Sequence, residues 1–168
     1  SGMHEQRGTT DPFESMYKAA DLARTDTFEN TGSDNPSIGV FIHLFYPRLA
    51  DLIISYLNNI PYTYDLYIST RPESISEVKK IFESKCTHCT NIEVESFPNI
   101  GRDVGPFLCG FGSHIGKYKI ILKLHSKQSP HNKLLSNWLE HLLENLLGSQ
   151  DIIATLINQL TTKDIKLI

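Results

Sequence analysis

The sequence predicts an α/β fold: a three-layer, open and mostly parallel sheet with helices on both faces. Two observations predict it. Short runs rich in β-branched and aromatic residues alternate with segments whose apolar residues recur at helical spacing. The first run, residues 38–45, is almost continuously apolar, as strands buried on both faces are. Helices placed between successive strands imply crossover connections, and we expect the strand order 3-2-1-4.

The elements follow one another at regular spacing. A helix is expected after Pro47, because proline suits a first helical turn, and Gly148 is placed to end another. Cys109 and Trp138 lie on apolar helix faces and are expected in the core; a partner surface around Trp138 is the alternative. The expected strands are residues 38–45, 64–70, 91–97 (a sheet edge) and 119–125; the expected helices are 49–57, 73–84, 104–115, 134–147 and 151–160.

The two ends of the chain differ from its middle in the structure that their sequences predict. Ser1 and Gly2 before Met3 are typical of a cleaved expression tag, residues 13–22 fit a short amphipathic helix, and residues 25–37 read as a linker. We therefore divide the chain into residues 1–37 and an α/β domain at 38–168. Residues 164–168 look like the opening of another strand, so the fold is expected to be incomplete at its C-terminus.

Composition limits the kinds of protein this can be. With 168 residues and 40% hydrophobic content, one domain with a real core is expected. The formal net charge of -3 gives no general attraction to nucleic acid or anionic lipid. No apolar run is long enough to span a membrane, no secretory signal is present, and three cysteines suit a reducing compartment. The sequence thus predicts a soluble, cytoplasmic protein.

Ligands of open parallel sheets bind beyond the carboxyl ends of the strands, and two loops stand out there. Residues 99–103 (NIGRD) join a strand to a helix: Gly101 suits an unusual backbone conformation, and Arg102 could grip a phosphate. Asp103 could cap the helix or bind a sugar hydroxyl. A plain turn with a solvated arginine is the alternative.

The second loop, residues 125–131 (HSKQSPH), follows the fourth strand directly. It holds two histidines, a lysine and two hydroxyl groups within seven residues. Polar groups in this position usually serve a ligand, although a hydrophilic loop with one hydrogen-bonded histidine is the alternative.

Cys86 and Cys89 have zinc-like spacing, but no second pair completes a tetrahedral set, and we expect no metal there. The sequence also lacks the GxSxG, P-loop, GxGxxG and HExxH motifs, so the corresponding hydrolase, nucleotidase, dinucleotide-binding and protease classes lose their usual support.

Three ordered segments carry a resemblance to a known family. The segments FIHLFYP, PNIGRDVGPFL and KLHSKQSPH resemble the rhamnan synthesis protein F family from about residue 38 onwards. The layout is also similar to the nucleotide-binding half of Rossmann-like, GT-A glycosyltransferases. There the fourth strand ends in a metal-binding D-x-D, where this chain has His125, Ser126 and Lys127.

The resemblance implies a bacterial glycosyltransferase that transfers rhamnose to a growing cell-surface polysaccharide or lipopolysaccharide O-antigen. It implies a nucleotide-sugar donor, dTDP-rhamnose, and a lipid-linked or polysaccharide acceptor, with any inner-membrane contact peripheral and made by other regions. No cofactor is expected, a divalent metal being the less favoured alternative. A non-catalytic nucleotide- or carbohydrate-binding module is the rival function. The expected substrate-binding residues are Tyr46, Thr70, Asn99, Gly101, Arg102, Asp103, His125, Ser126, Lys127, Ser129 and His131, whereas no catalytic base can be assigned.

Overall fold

The computed structural model describes residues 36–98, 101–126 and 138–162. Four strands form one sheet in which every pairing is parallel. Their order is β3-β2-β1-β4, where β1 is Ile38–His43, β2 is Tyr64–Ser69, β3 is Cys89–Glu95 and β4 is Ile120–His125. The predicted α/β class and strand order are therefore confirmed.

Five α-helices accompany these strands in the described part of the chain: α1 Ala50–Leu57, α2 Ile75–Lys85, α3 Gly112–Ile115, α4 Trp138–Leu147 and α5 Gln150–Thr162. Single 3-10 turns that begin at Pro47 and Pro72 lead into α1 and α2, since proline is preorganised for a first helical turn. None of the described helices is long and apolar enough to cross a membrane. The expected N-terminal helix, the linker up to residue 35 and the expected last strand lie outside the described residues.

The main core lies on one face of the sheet. Alternate residues of the central strands point to this face, and Val40, Leu66 and Ile68 are completely buried there. Ile53 of α1, Phe82 of α2 and Leu143 of α4 pack onto them and are also fully buried. This face carries two pairs of helices and supplies most of the hydrophobic stabilisation.

The opposite face is covered more thinly by residues 104–115. Their aromatic cluster joins Phe41 and Tyr67 from the sheet to Phe111 and Tyr118. Phe41 and Tyr67 are stacked with ring centroids 4.9 Å apart, and Phe97 packs edge-on against Phe111 at 5.0 Å. Helical structure thus covers both faces, as predicted, but in layers of unequal thickness.

The expectation of one regular helix over residues 104–115 is wrong. Pro106–Gly110 is π-helical, with the amide of Phe111 bonded to the carbonyl of Pro106 at 3.0 Å, and only then does α3 begin. Gly105, Gly110 and Gly112 weaken a regular α-helix here, because glycine has a low helix propensity. Because the helical register changes here, Cys109 is exposed and not in the core, and Val104 is 43% exposed.

The expectation that Trp138 lies in the core is also wrong. The side chain is 54% exposed at the start of α4. Leu139, Leu143 and Leu147, spaced four residues apart, already form the buried stripe of this helix. Trp138 precedes the first of them by one residue and so lies about 100° away around the helix.

Candidate functional site

Polar side chains gather where β1, β2 and β4 end. Residues His43, Ser69 and His125 are register partners, so their side chains lie side by side on the thinly covered face. His43 Nδ1 and the Ser69 hydroxyl are 2.8 Å apart. Ser69 is only 3% exposed, so this polar group is built into the sheet. Three strands thus deliver hydrogen-bonding groups to the edge where ligands of such sheets bind.

Asp103, in the loop after β3, forms an ion pair with Lys123 of β4. Burial of the Asp103 carboxyl group would raise its pKa, but the hydrogen bond and positive charge of Lys123 outweigh this effect, and the pKa is lowered. Both side chains are about three-quarters buried, at 24% and 29% exposed respectively. The carboxylate therefore stays ionised at neutral pH and ties its loop to β4.

The same loop has an unusual backbone. Gly101 and Arg102 have φ angles of 76° and 57°, in the left-handed region that residues other than glycine rarely adopt. A Cβ atom on Gly101 would lie 3.3 Å from the backbone of Gly105. The amides of Val104 and Gly105 both bond to the carbonyl of Gly101 at 3.2 Å. This tight turn leaves Arg102 exposed at the edge of the site.

Ser126 joins the loops that follow β1 and β4. Its hydroxyl oxygen accepts hydrogen bonds from the amides of Phe45 at 2.8 Å and Tyr46 at 3.4 Å. Its own amide donates to the carbonyl of His43 at 2.9 Å, and the residue is 1% exposed. Beside it, Nδ1 of His125 is buried without a hydrogen-bond partner among the described residues. Ser126 is thus committed to holding the two loops together.

A cleft of about 430 Å³ opens across the ends of β1, β2 and β3. Its walls are mostly aromatic and proline rings, with a few polar groups: His43, Phe45, Thr70, Arg71, Pro72, Ser96, Phe97, Pro98 and Pro106. A second cavity of about 10 Å³, the size of one water molecule, lies between His43, Ser69, Asp103 and Lys123. His43 borders both cavities and so connects the polar cluster to the cleft.

The structure brings several of the expected site residues to one edge. Asp103 pairs with Lys123 inside β4 and lies close enough to His125 for the charge of His125 to lower its pKa, while Gly101 and Arg102 form the turn that precedes Asp103. Thr70 lines the cleft, with its hydroxyl donating to the carbonyl of Leu44 at 2.8 Å. Tyr46 packs against the main core and Arg48, while its neighbour Phe45 lines the cleft. Residues Asn99, Lys127, Ser129 and His131 lie outside the described part.

Three residues of the polar cluster were not selected from the sequence: His43, Ser69 and Lys123. A signal existed for Lys123, because it is the one charge within the apolar run IILKLH of β4. His43 and Ser69 are the last residues of their strands and lie in the segments 43–47 and 69–72, which the carboxyl-end rule marks as candidates, although neither was chosen as an individual site residue.

In the described part of the chain, no three His, Cys, Asp or Glu side chains are grouped so as to hold a metal ion. Burial raises the pKa of the Cys86 thiol and raises that of Cys89 to about 12. The main cause of both shifts is desolvation of the thiol groups. Zinc binding by this pair is not expected.

Comparison of the sequence with known proteins shows which family the chain resembles. The sequence model of a family described as rhamnan synthesis protein F matches residues 15–167. The uncharacterized protein WxcX, from two strains of Xanthomonas campestris pv. campestris, is 30% identical over 129 residues. That stretch covers 76% of this chain but 18% of the relative, so the chain matches only a minor part of the relatives' length. No solved structure matches this chain.

Proposed function

The chain belongs to the rhamnan synthesis protein F family, and on this premise we propose that it binds the nucleotide-sugar donor of a glycosyl transfer. The transfer would extend a cell-surface polysaccharide, with a rhamnosyl group as the sugar moved and dTDP-rhamnose as the donor. The observation that carries the proposal is the cleft at the carboxyl ends of three parallel strands, next to the polar cluster.

The cleft suits the nucleoside part of such a donor. Phe45 and Phe97 supply aromatic surface for a flat base, and proline rings complete the walls. The Phe97 ring is held against Phe111 and lies where a Cβ atom on Gly110 would come within 2.5 Å of it. The aromatic wall is therefore fixed before a ligand arrives, which reduces the entropy lost on binding. Ser96 and Thr70 also line the cleft, although the Thr70 hydroxyl already donates to the carbonyl of Leu44.

Positive charge for a diphosphate comes from more than one element. Arg71 lines the cleft and is 46% exposed, with Glu73 as its partner at 3.2 Å. Arg102 is exposed in the loop after β3. Lys127 follows the described part of the chain directly after Ser126, and we propose that its ammonium group also contacts the diphosphate. Guanidinium and ammonium groups can neutralise phosphate oxygens directly, so we propose binding without a required metal.

Titration calorimetry with dTDP, UDP, GDP and dTDP-rhamnose, each with and without EDTA, tests the proposal. We expect binding that survives EDTA, with Arg71→Gln weakening it about tenfold to a hundredfold if the guanidinium bonds phosphate. Lys85→Gln is the matched control, because Lys85 also forms an exposed ion pair, with Asp51 at 2.6 Å, but outside the cleft. If none of the four nucleotides binds, or if both variants weaken binding equally, the donor site is not here.

Binding alone does not separate an enzyme from a binding module. Incubation with dTDP-rhamnose and a rhamnose-containing acceptor separates them, because a transferase releases dTDP as it extends the acceptor. Release that depends on the acceptor supports glycosyl transfer. Tight donor binding without any release would instead support the non-catalytic module.

A further inference from the structure

The outer face of α4 carries an exposed stripe of side chains. Trp138, at 54% exposed, begins it, and His141 follows one turn later with its ring centroid 6.4 Å from the indole. Asn145 lies one further turn along and is also exposed. Its side-chain amide donates a hydrogen bond to the backbone carbonyl of His141 at 2.7 Å. We call these three residues the α4 stripe. Leu139, Leu143 and Leu147 form the buried stripe of the same helix on its other side, so the core does not require Trp138.

Two hydrogen bonds fix where the stripe lies. The Tyr56 hydroxyl donates to Glu144, and the Asn59 amide donates to the carbonyl of Leu147; both pairs are 88 residues apart in sequence. The constant separation means that α1 and α4 run parallel. The same separation sets Trp138 level with the first residue of α1, which follows the carboxyl end of β1.

The stripe therefore begins at the edge of the sheet that holds the cleft and leads away from it. From its first to its last residue it extends seven positions along the helix, about 10 Å at 1.5 Å per residue. An extended ligand that leaves the reaction site in this direction would lie along α4.

The charges around the stripe limit what can bind it. The sequence of α4, WLEHLLENLL, contains two glutamates and neither lysine nor arginine. Phosphate groups of a nucleotide or of a lipid surface would be repelled by these carboxylates. Trp138 is the one large apolar side chain of α4 that is exposed, and its neighbour Leu142 is half-buried, so the described part of this face offers no broad apolar patch to a protein partner. A flat apolar ring flanked by an imidazole, an amide and carboxylates matches a sugar, which has a C–H face and a rim of hydroxyl groups.

We propose that the α4 stripe binds the neutral saccharide chain of the acceptor, with a pyranose ring stacked on Trp138. His141, Asn145 and the neighbouring glutamates would exchange hydrogen bonds with its hydroxyl groups. The about 10 Å of helix covered would hold about two linked sugar rings. The inference rests on the proposed function for the identity of the saccharide, but it concerns a surface separate from the donor cleft.

Trp138 is the only tryptophan of the chain, so intrinsic fluorescence reports on the stripe directly. The probe is an α-linked rhamnose trisaccharide, with the acyclic polyol sorbitol as the control ligand. We expect the trisaccharide to change the emission in a saturable way and sorbitol to leave it unchanged. By calorimetry, Trp138→Ala should weaken trisaccharide binding roughly tenfold or more, as truncation of a central aromatic contact does. Trp138→Phe should retain part of the affinity.

Val104→Ala is the matched control, since it also shortens an exposed apolar side chain, and trisaccharide binding should not change. Trp138→Ala should bind dTDP as the unaltered protein does, which separates this inference from the donor proposal. A chain that binds dTDP but shows no emission change with the trisaccharide would overturn the inference and leave the donor site standing. An emission change that follows protein concentration instead of trisaccharide would also overturn it, by assigning Trp138 to self-association.

Discussion

Replacing Asp103 by asparagine should destabilise the fold measurably, because it leaves Lys123 without its charged partner. The side chains of this ion pair are about three-quarters buried. Hydrogen bonds to charged groups contribute about 1.5–3 kcal/mol, and the remaining exposure favours the lower half of that range. We therefore expect Asp103→Asn to lower the free energy of unfolding by about 1.5–2 kcal/mol.

The pair formed by Lys85 and Asp51 provides the comparison within the same molecule. Its side chains are 51% and 70% exposed, and exposed pairs of this kind contribute about 0–1 kcal/mol. Urea unfolding of Asp103→Asn and Asp51→Asn, followed by circular dichroism, measures both losses. If the two variants lose the same stability, the partial burial of the Asp103 pair has no energetic effect and the reasoning is refuted.

The pH dependence has a definite sign. The folded-state pKa of Asp103 is lowered, so its contribution is fully present above the unfolded value of 3.8 and is lost as the pH falls through the lower folded value. The stability difference between the unaltered protein and Asp103→Asn should thus shrink when the pH is taken below 3.8. Removing both charges, in Asp103→Asn with Lys123→Met, should cost less than the sum of the single changes, because no buried charge is left unpaired.

Three further outcomes are expected. Gly110→Ala should lower both the stability and the affinity for dTDP, because the new methyl group would lie 2.5 Å from the Phe97 ring. Gly116→Ala is the control, since its new methyl group would have nothing within 4 Å, and it should change neither quantity. Unfolding and calorimetric measurements test both variants. Iodoacetamide should alkylate the exposed Cys109 well before Cys89, whose raised pKa keeps its thiol protonated, and peptide mass spectrometry reads the order. Lys127→Ala should weaken dTDP binding about tenfold to a hundredfold, with titration calorimetry as the measurement.

The fold could be predicted from the sequence because periodicity reports which side of an element is buried. The alternation of helical and extended segments indicates parallel pairing, and the apolar run of β1 indicates a strand inside the sheet. What failed was local: the glycine-rich segment around Pro106–Gly110 changes its helical hydrogen bonding, and the apolar spacing of its residues does not record that change. The prediction that Trp138 lies in the core failed for another reason: hydrophobic character does not distinguish a core residue from an exposed one.

The sequence predicted which loops carry the candidate site, but not which side chains contact one another there. The loops after β3 and β4 could be selected because carboxyl ends of parallel strands share one edge. The ion pair of Asp103 could not be selected, since its partner lies within a strand and 20 residues away in sequence. Ser126 was selected as a ligand-binding residue, but its hydroxyl is engaged by two backbone amides. Only three-dimensional contacts distinguish a polar group that is available to bind a ligand from one that is already hydrogen-bonded within a loop.

The unequal layers on the two sheet faces imply unequal local stability. Local opening costs least where the fewest apolar contacts are lost, and residues 104–115 have the thinner layer. Amide hydrogen exchange should therefore be slowest in β1 and α1 and faster in this layer. Pro106, a wall of the cleft, belongs to the faster-exchanging segment. The cleft would then have one wall of lower local stability, at Pro106, and more stable walls at the ends of the paired strands.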